Sequence, residues 1–292
     1  MSLTEAEKNS LTNVLKVRRG DTIPDWELNF IWNPYIPAGT ITMLYGDSGV
    51  GKSMVCCKIA ADVSNGVQMP GGSFEKPGKV LYISSEMSNS DVARLVIASG
   101  GTAKNVYLYS AVTEDPICDL LGTDFDKLQQ IVNKIKPNLI IVDTCLTFMR
   151  TAMHPITMYA IREFWGNWRQ LCRNKDCGML MVVPVNKQTM FYDDLGESTF
   201  DTFSNMSRSV LRVVTPEMGS DAACILVHQK ANYSALSDSI NVHINNGTVT
   251  WGDYSAIDTD VLDLAERRKC SLSTALAQCQ SNSCQYKEES ES

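Results

Sequence analysis

A glycine-rich run of eight residues separates an apolar segment from a segment with helical periodicity. The run reads Gly46-Asp47-Ser48-Gly49-Val50-Gly51-Lys52-Ser53 and fits the pattern G-x-x-x-x-G-K-[ST]. Residues 40–45 (TITMLY) are β-branched and apolar, which predicts a buried strand, and residues 54–63 carry apolar side chains at helical spacing. Strand, glycine turn and helix in this order form the context in which the motif binds phosphate. The sequence therefore predicts a P-loop.

Each position of this motif has a defined role when a nucleotide binds. The backbone N–H groups of the loop would point at the phosphates, and the N-terminus of the following helix would add positive potential. Lys52 would reach the β- and γ-phosphates, and the Ser53 hydroxyl would hold Mg²⁺. We therefore predict ATP and Mg²⁺ as ligands. The residues expected to contact the nucleotide are Gly46, Asp47, Ser48, Gly49, Val50, Gly51, Lys52, Ser53 and Met54.

Length and composition indicate a globular protein without a membrane or secretion signal. The chain has 292 residues, 44% of them hydrophobic, which is enough for a sizeable core. No apolar run approaches the roughly 20 residues of a membrane span, and the first ten residues lack the apolar centre of a signal peptide. The ten cysteines include no C-x-x-C pair. We therefore predict a cytoplasmic protein with buried free thiols rather than disulfides or zinc.

The pattern of apolar runs predicts the fold class. Up to residue 185, continuous apolar strands alternate with helical patterns, which is typical of an α/β fold whose parallel sheet is covered on both faces. Residues 210–251 change to closely spaced strands around an Asn245-Asn246-Gly247 turn, so we expect antiparallel strands there. We predict an N-terminal arm over residues 1–30, one nucleotide-binding domain over 31–255, and a short helix followed by a disordered acidic tail over 256–292.

Two carboxylates that end predicted strands are candidates for the chemistry of hydrolysis. Asp143 ends the run LIIVD and is expected to hold Mg²⁺; the alternative is an aspartate that caps a turn. Glu86 follows the strand of residues 79–84, which we expect beside the P-loop strand, and could polarise the attacking water. Because Thr144 rather than a second acid follows Asp143, Glu86 is the leading base. Asn186, just past the strand of residues 178–185, is a candidate contact to the γ-phosphate, or a turn residue.

The order of these segments resembles a known family. The series PAGTITMLYGDSGVGKS, VLYISSEMS, NLIIVDT and VVPVNK is similar to the RecA-like ATPases, especially the branch of the hexameric plasmid helicase RepA and its phage and mobile-element relatives. The later segments GESTFDTFSNMSRSVLRVV and ILVHQKANYSALSDSINVHI are similar to that branch as well, so the resemblance covers about residues 31–252.

The resemblance implies roles for individual residues and an assembly. It implies Glu86 as the base, Asp143 as the metal contact and Asn186 as a sensor. It further implies cationic fingers that reach the nucleotide of a neighbouring subunit, and Arg208 and Lys230 match those positions best, with Arg212 as a spare. The protein is therefore expected to form a homo-oligomer, as a hexameric ring.

Two loops are expected to contact single-stranded DNA. The resemblance places one at residues 187–199, where Lys187 could meet phosphates and where Phe191 and Tyr192 could stack on bases or simply be exposed aromatics of a mobile loop. The loop of residues 145–155, with Arg150 and His154, is the other candidate. Acidic side chains in the first loop weaken its attraction for phosphate. The net charge of −7 argues against a broad basic surface for duplex DNA, although a narrow channel lined by several subunits remains open.

The preferred interpretation is a Mg²⁺-dependent ring ATPase that acts on single-stranded DNA, as a helicase or as a replication or recombination motor with partners from those processes. The alternative is a regulatory or scaffold protein that binds ATP as a switch without translocating. The net charge favours the alternative, as does the presence of Pro184 and Val185 where the family strand usually leads into histidines. Intact Lys52, Glu86 and Asp143 favour catalysis. A small-molecule kinase is a third reading, without an evident acceptor lid.

Overall fold

The computed structural model describes Asp21 and residues 28–72, 76–112, 123–149, 158–175, 177–185, 198–216 and 219–255. The predicted tail of residues 256–292 lies outside these ranges, as does nearly all of the predicted N-terminal arm. Within them, no helix is long and apolar enough to span a bilayer.

A nine-stranded sheet dominates the described residues, with a short two-stranded hairpin beside it. The hairpin strands are β1 (Phe30–Trp32) and β2 (Ile36–Pro37). The strands of the large sheet are β3 (Ile41–Gly46), β4 (Val80–Ser84), β5 (Val106–Ser110), β6 (Leu139–Asp143), β7 (Gly178–Pro184), β8 (Ser209–Val214), β9 (Cys224–Ala231), β10 (Ser239–Asn245) and β11 (Thr248–Ser255).

Five α-helices connect these strands in the described residues. They are α1 (Lys52–Asn65), α2 (Asn89–Ala98), α3 (Thr123–Ile135), α4 (Met158–Lys175) and α5 (Thr199–Met206). The N-cap of α2 is Ser88, whose Oγ accepts from the Asp91 N–H at 3.1 Å. A capping box of Ser198 and Asp201 begins α5. Helix α1 ends at Gly66, which has a left-handed φ of 66° and donates its backbone N–H to the carbonyl oxygens of Asp62 and Val63.

The sheet has the order β11-β10-β9-β8-β3-β7-β6-β4-β5. Strands β8, β3, β7, β6, β4 and β5 are mutually parallel, and β9, β10 and β11 are antiparallel. This arrangement confirms the predicted α/β fold with antiparallel C-terminal strands. The turn before β11 is also confirmed, since Asn246 and Gly247 both have positive φ.

One predicted neighbour relation is wrong. The strand that ends before Glu86 is β4, and β7 and β6 lie between it and the P-loop strand β3. The chain crosses from β3 over α1 to a distant position in the sheet and fills the gap later with β6 and β7. Sequence order does not reveal this, because a parallel crossover can skip positions.

The core consists of two layers, one on each face of the sheet. Alternate residues of β3 point to opposite faces: Leu44 packs with α1 and α2, whereas Met43 and Tyr45 pack with α3, α4 and α5. Both faces are apolar, which explains why the central strands are continuously hydrophobic. The cysteines in the described ranges agree with the prediction of buried free thiols; they are Cys56, Cys57, Cys145, Cys172, Cys177 and Cys224.

Candidate nucleotide-binding site

The P-loop connects the carboxyl end of β3 to the start of α1. Gly46 has φ +151°, and a Cβ there would lie 2.3 Å from the carbonyl oxygen of Val213 on β8. Only glycine allows β3 to turn this close to β8. Gly51 has φ +103° and stands at the N-cap of α1, where it has no side chain to occupy the first N–H groups. The start of α1 can therefore donate to an anion.

Lys52 lies inside the curl of this loop. Its ammonium donates to the carbonyl oxygens of Gly46 at 2.9 Å and Asp47 at 2.6 Å. Burial lowers the pKa of Lys52, and the negative charges of Asp143 and Glu86 oppose that shift. The predicted base and the predicted metal contact therefore both act on the P-loop lysine.

Asp143 ends β6 and is 1% exposed. Its Oδ2 accepts from the Tyr82 hydroxyl at 3.0 Å, whereas its Oδ1 is buried without a hydrogen-bond partner among the described residues. Burial raises the pKa of Asp143, and hydrogen bonding from Ser53 and Tyr82 lowers it. The Oδ1 oxygen is therefore available to accept a hydrogen bond or to coordinate a cation.

The donor set at this point suits a hard divalent cation. The Ser53 hydroxyl and the unpaired Oδ1 of Asp143 are oxygen ligands, the type that Mg²⁺ prefers. Within the described ranges, no cluster of three or more His, Cys, Asp or Glu side chains could hold a metal alone. A cation here would therefore need phosphate oxygens and water to complete its shell.

Hydroxyl side chains fix the turn that carries Glu86. Ser84 Oγ accepts from the backbone N–H groups of Glu86 at 3.3 Å and Met87 at 2.9 Å. Ser85 joins this turn to the end of β6, since its N–H donates to Asp143 O at 2.7 Å and its Oγ accepts from Thr144 N at 3.0 Å. The exposed Glu86 therefore projects from a braced turn at the same sheet edge as the P-loop, despite the two intervening strands.

Three supporting residues of this site were not predicted from the sequence. Tyr82, Ser84 and Ser85 lie on or just after β4 and orient Asp143 and Glu86. The pair of serines before the acid was a usable signal, because serine hydroxyls accept from backbone N–H groups in turns. Nothing in the sequence pattern indicated that the Tyr82 hydroxyl would reach Asp143 on the neighbouring strand.

Other predicted site residues lie outside the described ranges. They include Asn186, which follows β7, and the loop residues Lys187, Phe191, Tyr192, Arg150 and His154. The end of β7 is described: Pro184 pairs with Gly46, so the chain leaves the sheet beside the P-loop. Pro184 ends the strand, and its missing N–H therefore interrupts no central ladder.

Of the two best-matching finger candidates, Arg208 lies at the end of the sheet opposite to the P-loop, and Lys230 lies near it. The backbone N–H of Arg208 donates to the carbonyl oxygen of Ile41, the first residue of β3, at 3.2 Å. At the rise of a β-strand, Ile41 lies about 17 Å from Gly46. The Lys230 ammonium donates to the last carbonyls of α5, Ser204 O at 2.8 Å and Asn205 O at 3.4 Å. Burial and the nearby Arg208 lower the pKa of Lys230. Arg212 instead lies beside the P-loop strand, over the Tyr45 ring.

Comparison with known proteins agrees with this geometry. A family model described as an AAA domain (AAA_25) matches residues 6–190. The DNA repair protein RadA of Halalkalibacterium halodurans is 26% identical over 164 residues, which are 56% of this chain and 31% of that protein. RadA of Aquifex aeolicus is 24% identical over 152 residues, 51% of this chain and 29% of its own length. RadA of Streptococcus pneumoniae is 22% identical over 164 residues, which are 56% of this chain and 34% of that protein.

The matched part spans about a third of the length of these relatives, so their complete activities do not transfer directly. The family model, in contrast, covers more than half of this chain and includes the P-loop, Glu86 and Asp143. The mostly parallel sheet and the phosphate-binding turn fit a RecA-like fold. The chain therefore belongs to the AAA domain family, as a P-loop ATPase with a RecA-like fold.

Proposed function

We propose that the protein binds ATP with Mg²⁺ at the P-loop and hydrolyses it. The observation that carries this proposal is the convergence of Lys52, Ser53, Asp143 and Glu86 at one sheet edge, with a buried carboxylate oxygen left unpaired. Ser53 and Asp143 would hold Mg²⁺, which when bound neutralises charge on the β- and γ-phosphates. Lys52 would donate to the same phosphates.

Glu86 is the proposed general base. It is exposed, so water can reach it, and its backbone is held by Ser84. Its position at the carboxyl edge of the sheet allows the carboxylate to orient a water for attack on the γ-phosphate. Asn186 is proposed to hydrogen-bond to that phosphate, because Pro184, two residues before it, pairs with Gly46 of the P-loop.

We further propose a ring in which the fingers act between subunits. The backbone of Arg208 lies about 17 Å along the strand from Gly46, so its side chain does not reach a nucleotide bound there without rearrangement. The ammonium of Lys230 is instead held by the last carbonyls of α5. Placed against a neighbour, the same cations would stabilise transition-state charge, as arginine fingers do. A hexamer is the number that the resemblance to the RepA branch implies.

Single-stranded DNA is the proposed substrate. The relatives with similar sequence are named DNA repair proteins, which supports a role on DNA. The contacts would come from the segments of residues 187–199 and 145–155, which follow β7 and β6 in the chain. Helicase action and a recombination or replication motor are the two forms of this proposal, with proteins of those processes as partners.

The second candidate function is a nucleotide-dependent switch that regulates or scaffolds without translocating. Two observations favour it: the net charge of −7, and Pro184 and Val185 at the exit of β7. In this case ATP would be bound at the same site, but single-stranded DNA would not stimulate turnover.

The rate of ATP hydrolysis, measured against protein concentration with and without single-stranded DNA, tests the proposal. We expect the specific rate to rise with concentration and with DNA, and to fall at least 100-fold in Glu86→Gln, since a general base contributes roughly 10²–10⁴-fold. Glu163→Gln is the matched control, because Glu163 is an exposed glutamate on α4. A slow rate that changes neither with DNA nor with the Glu86 substitution would support the nucleotide-dependent switch instead. Undetectable ATP binding excludes both functions.

A further inference from the structure

Tyr45, the last residue before the P-loop, contacts three elements outside that loop. Its hydroxyl donates to Oε1 of Gln229 on β9. Its ring packs edge-on against Phe200 on α5, with the ring centroids 4.8 Å apart, and the guanidinium of Arg212 on β8 lies 5.6 Å from the ring centroid. The side chain is 6% exposed, so these contacts are enclosed by protein.

A bulge in β9 aims Gln229 at Tyr45. Along the β8–β9 pair, Lys230 lies opposite Val210 and His228 lies opposite Leu211, which leaves Gln229 as the extra residue. A regular strand would send consecutive side chains to opposite faces. The bulge lets Gln229 and Lys230 both reach the face that carries α5, and re-aiming a side chain is a known use of a bulge.

The residues at the start of the P-loop also contact both stretches that flank residues 186–197. On one side, Gly46 pairs with Pro184, the last residue of β7. On the other, Tyr45 contacts Phe200, the second residue of α5. The other end of α5 is bound by Lys230, the neighbour of Gln229. Helix α5 is thus held at both ends by groups that connect to Tyr45 or to the strand it contacts.

Phosphate binding would disturb this connection directly. The Lys52 ammonium has three donors and uses two of them on the Gly46 and Asp47 carbonyls. Donating to both a β- and a γ-phosphate requires it to release at least one of these carbonyls. Gly46 is bonded to Tyr45, so a change at its carbonyl acts on the residue that contacts α5.

We propose that Tyr45 is a positioning residue that couples the P-loop to helix α5 through its contacts with Phe200 and Gln229. The proposal rests on the nucleotide binding proposed above, and it names the contacts through which nucleotide binding at the P-loop would affect helix α5. Coupling of this kind is reciprocal: a group that orders α5 also raises nucleotide affinity. Loss of the hydrogen bond to Gln229 is expected to weaken the coupling about two- to tenfold, the range of one neutral hydrogen bond.

Hydrogen exchange of the full chain, with and without a non-hydrolysable ATP analogue and Mg²⁺, tests the proposal. In the wild type we expect the analogue to slow exchange in the P-loop and in α5. Tyr45→Phe keeps the ring and loses the donor, so P-loop protection should remain while α5 protection falls about two- to tenfold. Gln229→Leu should reproduce this result. Gln229→Glu should behave as the wild type, because a carboxylate also accepts from the phenol.

Tyr107→Phe is the matched control, since Tyr107 is a 36% exposed tyrosine on the distant edge strand β5. Full α5 protection in Tyr45→Phe would overturn the route through Gln229, because that variant keeps the ring contact with Phe200. Protection of the P-loop alone in the wild type would overturn the coupling and leave nucleotide binding intact. Protection of neither region would overturn nucleotide binding, and the coupling with it.

Discussion

At the scale of single residues, His228 shows how a buried titratable group ties three segments together. It is 1% exposed, its Nδ1 accepts from Ser237 N at 3.4 Å, and its Nε2 lies 3.1 Å from Ser209 Oγ. The Ser209 hydroxyl itself donates to Tyr35 O at 2.6 Å, so Nε2 carries the proton and donates to Ser209. Both ring nitrogens are therefore satisfied in the neutral form.

This arrangement predicts a loss of stability in mild acid. Burial lowers the pKa of His228 from 6.5 to about 4. Between pH 6.5 and 4 the His228 side chain is protonated in the unfolded chain but not in the folded chain. The free energy of unfolding is therefore highest above pH 6.5 and decreases as the pH falls towards 4. The full loss is about 3 kcal/mol. Urea unfolding of wild type and His228→Asn at pH 7 and pH 4.5 checks it. The variant should lose less stability than the wild type between these pH values, and equal losses would contradict the prediction.

The residues of the site differ in how far the sequence predicted them. Lys52, Ser53 and Asp143 follow from a motif and from a strand that ends in an acid, because local pattern determines both. Tyr82 and Gln229 could not be predicted. Tyr82 reaches Asp143 through the pairing of β4 with β6, and Gln229 reaches Tyr45 through a bulge. Strand order and bulges depend on tertiary packing, which short sequence windows do not contain.

At the scale of elements, the close contact of β3 with β8 limits which residue can occupy position 46 of the P-loop. A Cβ on Gly46 would lie 2.3 Å from Val213 O, a backbone atom that cannot move without shifting β8. We expect Gly46→Ala to destabilise the fold by about 1–3 kcal/mol and to abolish nucleotide binding. Thermal unfolding and titration with a fluorescent ATP analogue provide the two measurements.

Gly49→Ala is the matched control for this prediction. Gly49 belongs to the same loop and has φ +77°, but a Cβ there would meet no atom within 4 Å. Its substitution should cost only the backbone strain of a left-handed residue, about 1 kcal/mol. Equal effects of the two substitutions would show that strain, and not the contact with β8, makes Gly46 necessary.

The element order itself was predictable because continuous apolar strands and amphipathic helices alternate along the chain. The parallel-then-antiparallel arrangement follows from the change in spacing after residue 209. The position of β4 did not follow, since nothing local distinguishes a crossover to the adjacent strand from one that skips two places. Glu86 nevertheless reaches the site because all parallel strands of a sheet present their carboxyl ends at one edge.

At the scale of the whole molecule, the separation of the P-loop from Arg208 predicts shared sites. If Arg208 acts on the nucleotide of a neighbour, Arg208→Ala and Glu86→Gln each inactivate a ring made of one variant. In a mixed ring, an Arg208→Ala subunit still supplies a P-loop with Glu86, and a Glu86→Gln subunit still supplies the arginine. Equal mixing of the two proteins should then restore about one quarter of the interfaces, because a heterologous contact joins two different surfaces.

The restored rate distinguishes this arrangement from the alternatives. A mixture that remains inactive, although the two variants co-assemble in size-exclusion chromatography, places Arg208 and Glu86 in the same site of one subunit. Full activity of Arg208→Ala alone removes Arg208 from the chemistry. Lys230→Ala does not serve as well, because Lys230 also binds the last carbonyls of α5 and its loss would disturb that helix. Arg208 is the better probe because its contacts with Ile41 and Asn232 are made by its backbone, which the substitution retains.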